Sequence, residues 1–259
     1  MKKILFLLVG FVYCSASFAK DGLTFITEKI KLSNSNPKYE VQIEYPQIKT
    51  PTDESEKKFN AISKKWALET QSAFQTRDWQ TEKNLPADLK ANGSSLTVKY
   101  DLATLEPKKI ISLRFLTDTY IAGSAHPSHT YASINYDLDR SQLLTLKDLF
   151  DPKTQYLEYI AKFSGQKIKA KLDAVSKGQV ELFKEGLTPT AQNYATWNLV
   201  PEGIRFTFNE YQVAPYVFGP QEVVISFNDL DKFVPDRSPL AKCIEARCIV
   251  TLHKQPEPK

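Results

Sequence analysis

The sequence predicts an α+β fold, a mainly antiparallel sheet packed with two long helices, and three observations carry that reading. Alternating apolar and polar residues dominate both ends of the chain. Two long segments between them show helical spacing instead, and the regular strand–helix alternation of a doubly wound sheet is absent. At 259 residues, 42% of them hydrophobic, the chain is long enough for a substantial core in one large or two small domains. No repeat of roughly 20–50 residues is visible.

The elements follow in order. "LTFITEKIKL" and "KYEVQIEYPQI" alternate with period two and carry β-branched residues, so both read as strands. Pro51-Thr52-Asp53 opens a helix, with Asp53 as N-cap and Glu56 as its capping-box partner. Phe59, Ile62, Trp66, Ala73 and Phe74 then form a core stripe. Three strand candidates come next: "SLTVKYDLATL", "KIISLRFLTDTYIAG" and "HTYASINYDL". "DLFDP" leads into the second helix, with Pro152 suited to a first turn. On that helix Leu157, Ile160, Ala161, Ile168, Leu172 and Val175 face one way, and Gly178 supplies a stop. The end is β again: "YATWNLV", "GIRFTFNEYQV", "QEVVISF" and "RCIVTLH", with "VPEG" as the turn between the first two.

The start of the chain reads as an address. Lys2 and Lys3 form a basic region, Ile4 to Tyr13 an apolar run, and Ser17-Phe18-Ala19 the small-x-small pattern of a signal-peptidase site. The apolar run is far shorter than the roughly 20 residues that span a membrane. Cys14 raises a lipoprotein alternative, but Tyr13 stands where that signal needs a small residue. The mature chain is therefore expected from Lys20, periplasmic or secreted. Of 34 Lys and Arg, removing Lys2 and Lys3 leaves 32 against 30 acids, a balance of +2. With no block of like charge, that balance argues against a nucleic-acid partner. Cys243 and Cys248 are then the remaining cysteines, and an oxidising compartment makes a disulfide their simplest state, worth about 2 kcal/mol for so short a loop. A redox-active pair would favour Cys-x-x-Cys.

Two segments are candidates for function. In "AGSAHPSHTY", His126 and His129 are three apart, whereas a helical zinc hydrolase needs its histidines four apart with a Glu between. Pro127 interrupts any helix, so the segment reads as a tight strand connection in which His126 donates to backbone carbonyls. A loop can still place two imidazoles on one ion if a third ligand arrives, and Asp118, Asp137 and Asp139 are near in sequence. There is no Gly-x-Ser-x-Gly, P-loop or Gly-x-Gly-x-x-Gly, and no cofactor is implied. The second segment, "FNEYQVAPYVFGPQEVVISFNDL", is bent by Pro215 and Pro220, with Gly219 expected in a backbone conformation that other residues avoid. Tyr211, Tyr216 and Phe218 surround the bend, either packed against the sheet or exposed as an aromatic ledge for a sugar or protein.

That segment also carries a resemblance. "WNLVPEGIRFTFNEYQVAPYVFGPQEVVISFNDL" closely resembles the signature of a secreted family of unknown function, matched from Glu202 through Val223. "GSAHPSHTYASINYDL" followed by "LLTLKDLF" resembles the family's Gly-Gly-Ala-His turn, strand and helix entry, with Ser124 in place of the second Gly. The family includes the extracellular domain of RsiV-type anti-sigma factors and the region preceding the catalytic domain of PdaC-type peptidoglycan deacetylases. Between the leader (1–19) and the disulfide hairpin with tail (236–259), the resemblance divides the chain into an N-terminal α+β half similar to the PdaC-type region (20–140) and a C-terminal α+β half similar to the RsiV-type region (141–235). It implies a non-catalytic envelope protein that binds lysozyme or peptidoglycan, with Tyr211, Tyr216, Phe218 and the His126 turn as contact or loop-shaping groups. The alternative is a metal-dependent envelope hydrolase in which His126, His129 and a nearby Asp act on peptidoglycan glycan or peptide. Neither metal ligands nor oligomeric state follow from the resemblance.

Overall fold

A computed structural model describes residues 23–80, 84–107, 109–241 and 248–253. The leader, Cys14, Cys243 and the tail from 254 lie outside the described residues, and with them the leader and disulfide expectations. The fold is mixed α+β with a mostly antiparallel sheet. The described residues form two compact units, those within 23–100 and 116–128 in the first, and those within 101–115 and 129–253 in the second.

In the first unit, β1 (Phe25–Ser35) and β2 (Lys38–Ile48) form an antiparallel hairpin, in register from Ser35↔Lys38 to Phe25↔Ile48. Period-two alternation in β2 buries Val41, Ile43 and Tyr45 on one face. Helix α1 (Glu54–Gln75) covers that face, its N-cap Asp53 accepting from the Glu56 N–H at 2.9 Å. The buried line of α1 is Phe59, Ser63, Ala67 and Phe74, which keeps Phe59 and Phe74 of the expected stripe and replaces its middle with small residues. Small side chains at 63 and 67 let the helix approach β2, where Ser63 Oγ donates to the Pro46 carbonyl at 2.9 Å. Ala73 faces outward, and Ile62 and Trp66 flank the line half-buried. A short α2 (Ala87–Asn92) precedes β3 (Ser94–Glu106), which pairs with β2 in parallel from Tyr39↔Ser94 to Ile43↔Val98. Parallel pairing is what a helical crossover between two strands permits. β4 (Ile110–Tyr120) neighbours β3.

In the second unit, the end of β3 pairs antiparallel with β10 (Ile249–His253), and β5 (Ser128–Asp137), next to β4, pairs antiparallel with β6 (Gln142–Leu143). After a one-turn α3 (Leu146–Leu149), Pro152 sits in the turn before α4 (Tyr156–Ser176) rather than in its first turn. α4 buries Tyr156, Ile160, Ser164, Ile168 and Leu172, with Leu157 and Ala161 at the margin. Val175, expected on the core face, is exposed, and Lys177 takes the left-handed cap before Gly178. β7 (Trp197–Val200), β8 (Gly203–Phe208) and β9 (Gln221–Ser226) form an antiparallel three-stranded sheet, the β7–β8 turn falling at Val200–Gly203 as expected. Its inner face (Trp197, Leu199, Phe206, Phe208, Val223, Ile225) packs in one core with α4 and with Leu230 of the one-turn α5 (Phe227–Leu230).

Side chains, not a fourth strand, satisfy the outer edge of β7. Leu199 N–H donates to Ser112 Oγ at 2.8 Å and Trp197 N–H to Ser133 Oγ at 3.1 Å, while Asn135 Nδ2 donates to the Trp197 carbonyl at 2.9 Å. These bonds tie β7 to β4 and β5. Among the described residues, no helix is long and apolar enough to cross a membrane.

Candidate functional site

The β8–β9 connection, residues 209–220, is held by its own polar side chains. Asn209 Oδ1 accepts from the Tyr131 N–H at 2.6 Å, and Asn209 N–H donates to Gln212 Oε1 at 3.0 Å. Gln212 Nε2 in turn donates to the Asn193 carbonyl at 2.9 Å. The Glu210 side chain is only 6% exposed, and its carboxylate accepts from the His129 N–H at 3.0 Å and from His129 Nδ1 at 2.7 Å. A carboxylate accepts, so Nδ1 is the protonated nitrogen of that imidazole. The backbone of Gln212 also lies against Gly186. A Cβ at position 186 would stand 1.8 Å from the Gln212 carbonyl oxygen, so only glycine fits.

Between these anchors Tyr211 sits at φ +62 and is 58% exposed. A non-glycine residue in this left-handed region is uncommon and costs roughly 1–2 kcal/mol. Its ring stacks on half-buried Tyr216, centroids 5.7 Å apart and planes at 28°. Val213 and Ala214 are buried beneath the bend, and Pro215 opens a single 3-10 turn, Tyr216–Phe218. Gly219 follows at φ +61, the conformation the sequence requires of it. Gln221, itself buried, closes the bend by donating to the Phe218 carbonyl at 2.7 Å, while Lys171 donates to its Oε1 at 3.1 Å.

The candidate residues thus separate. Tyr211 and Tyr216 form a stacked pair with exposed Val217 beside them. Phe218 packs against the core and holds the bend down. His126, in the first unit, is exposed, and its Nδ1 lies 2.9 Å from the Pro127 carbonyl of the next residue. Cys248 is half-buried against the second unit's core. The carboxylate that meets His129 is Glu210, not one of the aspartates near it in sequence; Asp137 instead accepts from the Arg140 N–H at 2.9 Å. Among the described residues, no three His, Cys, Asp or Glu side chains converge as metal ligands would.

A charge cluster nearby escaped the sequence reading. Arg114 of β4, 8% exposed, lies over the Tyr131 ring at 4.9 Å and donates to Asp101 (Nε, 3.0 Å), Glu222 and Thr207 (3.2 Å). Arg205 completes it, 3.8 Å from Asp101 and 3.6 Å from Glu222. Burial opposes the Arg114 charge, but bonding to Asp101 and the field of Glu222 and Asp101 outweigh it, holding the guanidinium above its ordinary value. Burial, by contrast, raises the Tyr131 phenol above its ordinary value. The signal was available: an arginine in the apolar run "IISLRFL" has to bring its own partners.

Comparison with known proteins meets the same segment. Residues 147–228 match the family model described as a protein of unknown function, DUF3298. The chain is 24% identical over 195 residues to the peptidoglycan-N-acetylmuramic acid deacetylase PdaC of Bacillus subtilis, a match covering 75% of this chain and 38% of that protein. A DUF3298-family structure from Bacteroides fragilis superposes with TM-score 0.62 at 17% identity, covering 86% of this chain and 96% of that one. One from Pseudomonas aeruginosa superposes with TM-score 0.54 at 16% identity, covering 84% and 96%. The anchored bend and the sheet that presents it therefore lie within a stretch carrying the DUF3298 sequence pattern, in a chain with the fold of solved DUF3298-family proteins.

Proposed function

We propose that the chain is a non-catalytic binding protein of the cell envelope, periplasmic or secreted, that recognises the glycan of peptidoglycan through the Tyr211–Tyr216 pair. The observation that carries this reading is an exposed tyrosine, backed by a second one, on a bend whose neighbouring residues are fixed by distant partners. A rigid aromatic face offers a sugar ring a large contact area at low entropic cost. The similarity to a peptidoglycan deacetylase and the leader-like start of the sequence agree with such a ligand.

Calorimetry with soluble muropeptides, beside several lysozymes, tests the reading. Aromatic anchors at interface centres cost about 2 kcal/mol or more when cut to alanine, so Tyr211→Ala is expected to weaken muropeptide binding roughly 30-fold or more. Heat with a lysozyme and none with muropeptides would move the partner from glycan to lysozyme. No heat with either would remove the reading.

One observation favours a hydrolytic alternative: the His129–Glu210 contact is the imidazole–carboxylate unit that hydrolases use to orient a base. Muropeptide turnover by the wild type that disappears in His129→Ala would establish it, and zinc retained after dialysis would mark its metal-dependent form.

A further inference from the structure

We propose that Glu210 is a positioning residue whose carboxylate, clamped on His129, holds the tyrosine pair in its binding geometry. This rests on the reading of that pair as the binding face, and it gives the part-buried His–Glu contact a conformational rather than a chemical role.

The argument begins with the backbone of Tyr211. A tyrosine in the left-handed region persists only where its surroundings over-determine it. Here both neighbours are tied down: Glu210 to His129, and Gln212 to Asn193 and Asn209. The ties at 210 reach far along the chain, to the start of β5, so they set the bend against a sheet strand rather than against itself.

Glu210 is also an expensive way to fill space. A carboxylate 6% exposed is tolerated only with its acceptors occupied, and here both oxygens are used, one by a backbone N–H and one by an imidazole. An apolar side chain would bury as well but give up both bonds to His129, leaving the Tyr131–Asn209 bond to hold the bend on β5. Coupling matters for a binding face, because a platform already ordered loses less freedom when a ligand arrives. In this arrangement the ring of Tyr211 is the contact, Tyr216 its backing, and Glu210 the group that decides where Tyr211 points.

Local amide exchange and calorimetry on the full chain test this. In Glu210→Gln, which keeps the side-chain volume, and in His129→Ala, exchange across residues 209–217 is expected to accelerate at least about tenfold. Exchange in α4 should remain at its wild-type rate, and muropeptide affinity should fall at least about tenfold. His129→Asn, which restores a donor near the Nδ1 position, is expected to recover most of both. Wild-type exchange in the bend of Glu210→Gln and His129→Ala would overturn the proposal, as would a loosened bend with unchanged affinity. If the wild type binds no muropeptide, the functional reading fails by itself; the exchange rates and their rescue then still decide whether Glu210 sets the bend.

Discussion

The connection that carries His126 and the bend that carries Tyr211 both present an exposed ring among turn residues, yet they are built differently. His126 Nδ1 meets the carbonyl of the adjacent residue, an arrangement that any turn can make for itself. The bend at 209–220 spends Asn209, Glu210 and Gln212 on partners in other elements and keeps Tyr211 in a conformation tyrosine avoids. The difference teaches that an exposed ring is weak grounds for a site, whereas an exposed ring on a strained and distantly anchored backbone is strong grounds.

The comparison breaks most severely at Gly186. Gly186→Ala places a methyl 1.8 Å from the Gln212 carbonyl, so backbone has to move. The expected loss is roughly 3 kcal/mol in denaturant unfolding, at the upper end for overpacking. Unchanged stability would mean that the bend is free to shift and is not anchored as described.

Position 211 sharpens the comparison with a smaller effect. Tyr211→Ala and Tyr211→Gly both remove the ring, but only glycine accepts φ +62 without strain. Tyr211→Gly is expected to be about 1 kcal/mol more stable than Tyr211→Ala by thermal or chemical unfolding. Equal stabilities would show that the bend relaxes once the ring is gone. His126→Ala is the small end of the series: loss of this exposed imidazole should cost no more than about 0.5 kcal/mol. A larger loss would give the His126 turn an anchoring role of its own.

Much of the architecture was legible because short-range periodicity encodes it. The alternation of β2, the Asp53–Glu56 cap, the Val200–Gly203 turn and the backbone demand on Gly219 all follow from neighbours a few residues apart. The misreadings share one cause. Ser63 and Ala67 bury because they are small enough for close approach, a property hydrophobicity does not register, while Val175 is apolar yet exposed near the end of α4. The parallel β2–β3 pair depends on how the chain crosses over between them, not on the pattern within either strand.

The site was legible in part. Tyr211, Tyr216 and Phe218 stood out by composition and by the prolines around them, but their division into a stacked pair and a core anchor depends on the local path of the chain. The partner of His129 was beyond reach. Nearness in sequence offered Asp118, Asp137 and Asp139, and the fold supplies Glu210 from the start of the bend. The Arg114 cluster likewise draws Asp101, Thr207 and Glu222 from three strands, with only the arginine's apolar setting to announce it.

The most direct test of the account is amide chemical-shift mapping of the wild-type chain titrated with soluble muropeptides. The account predicts saturable shifts centred on Tyr211, Tyr216 and Val217, with much weaker ones at the His126 turn, and their loss in Tyr211→Ala. Shifts centred elsewhere, or none at all in the folded protein, would contradict it.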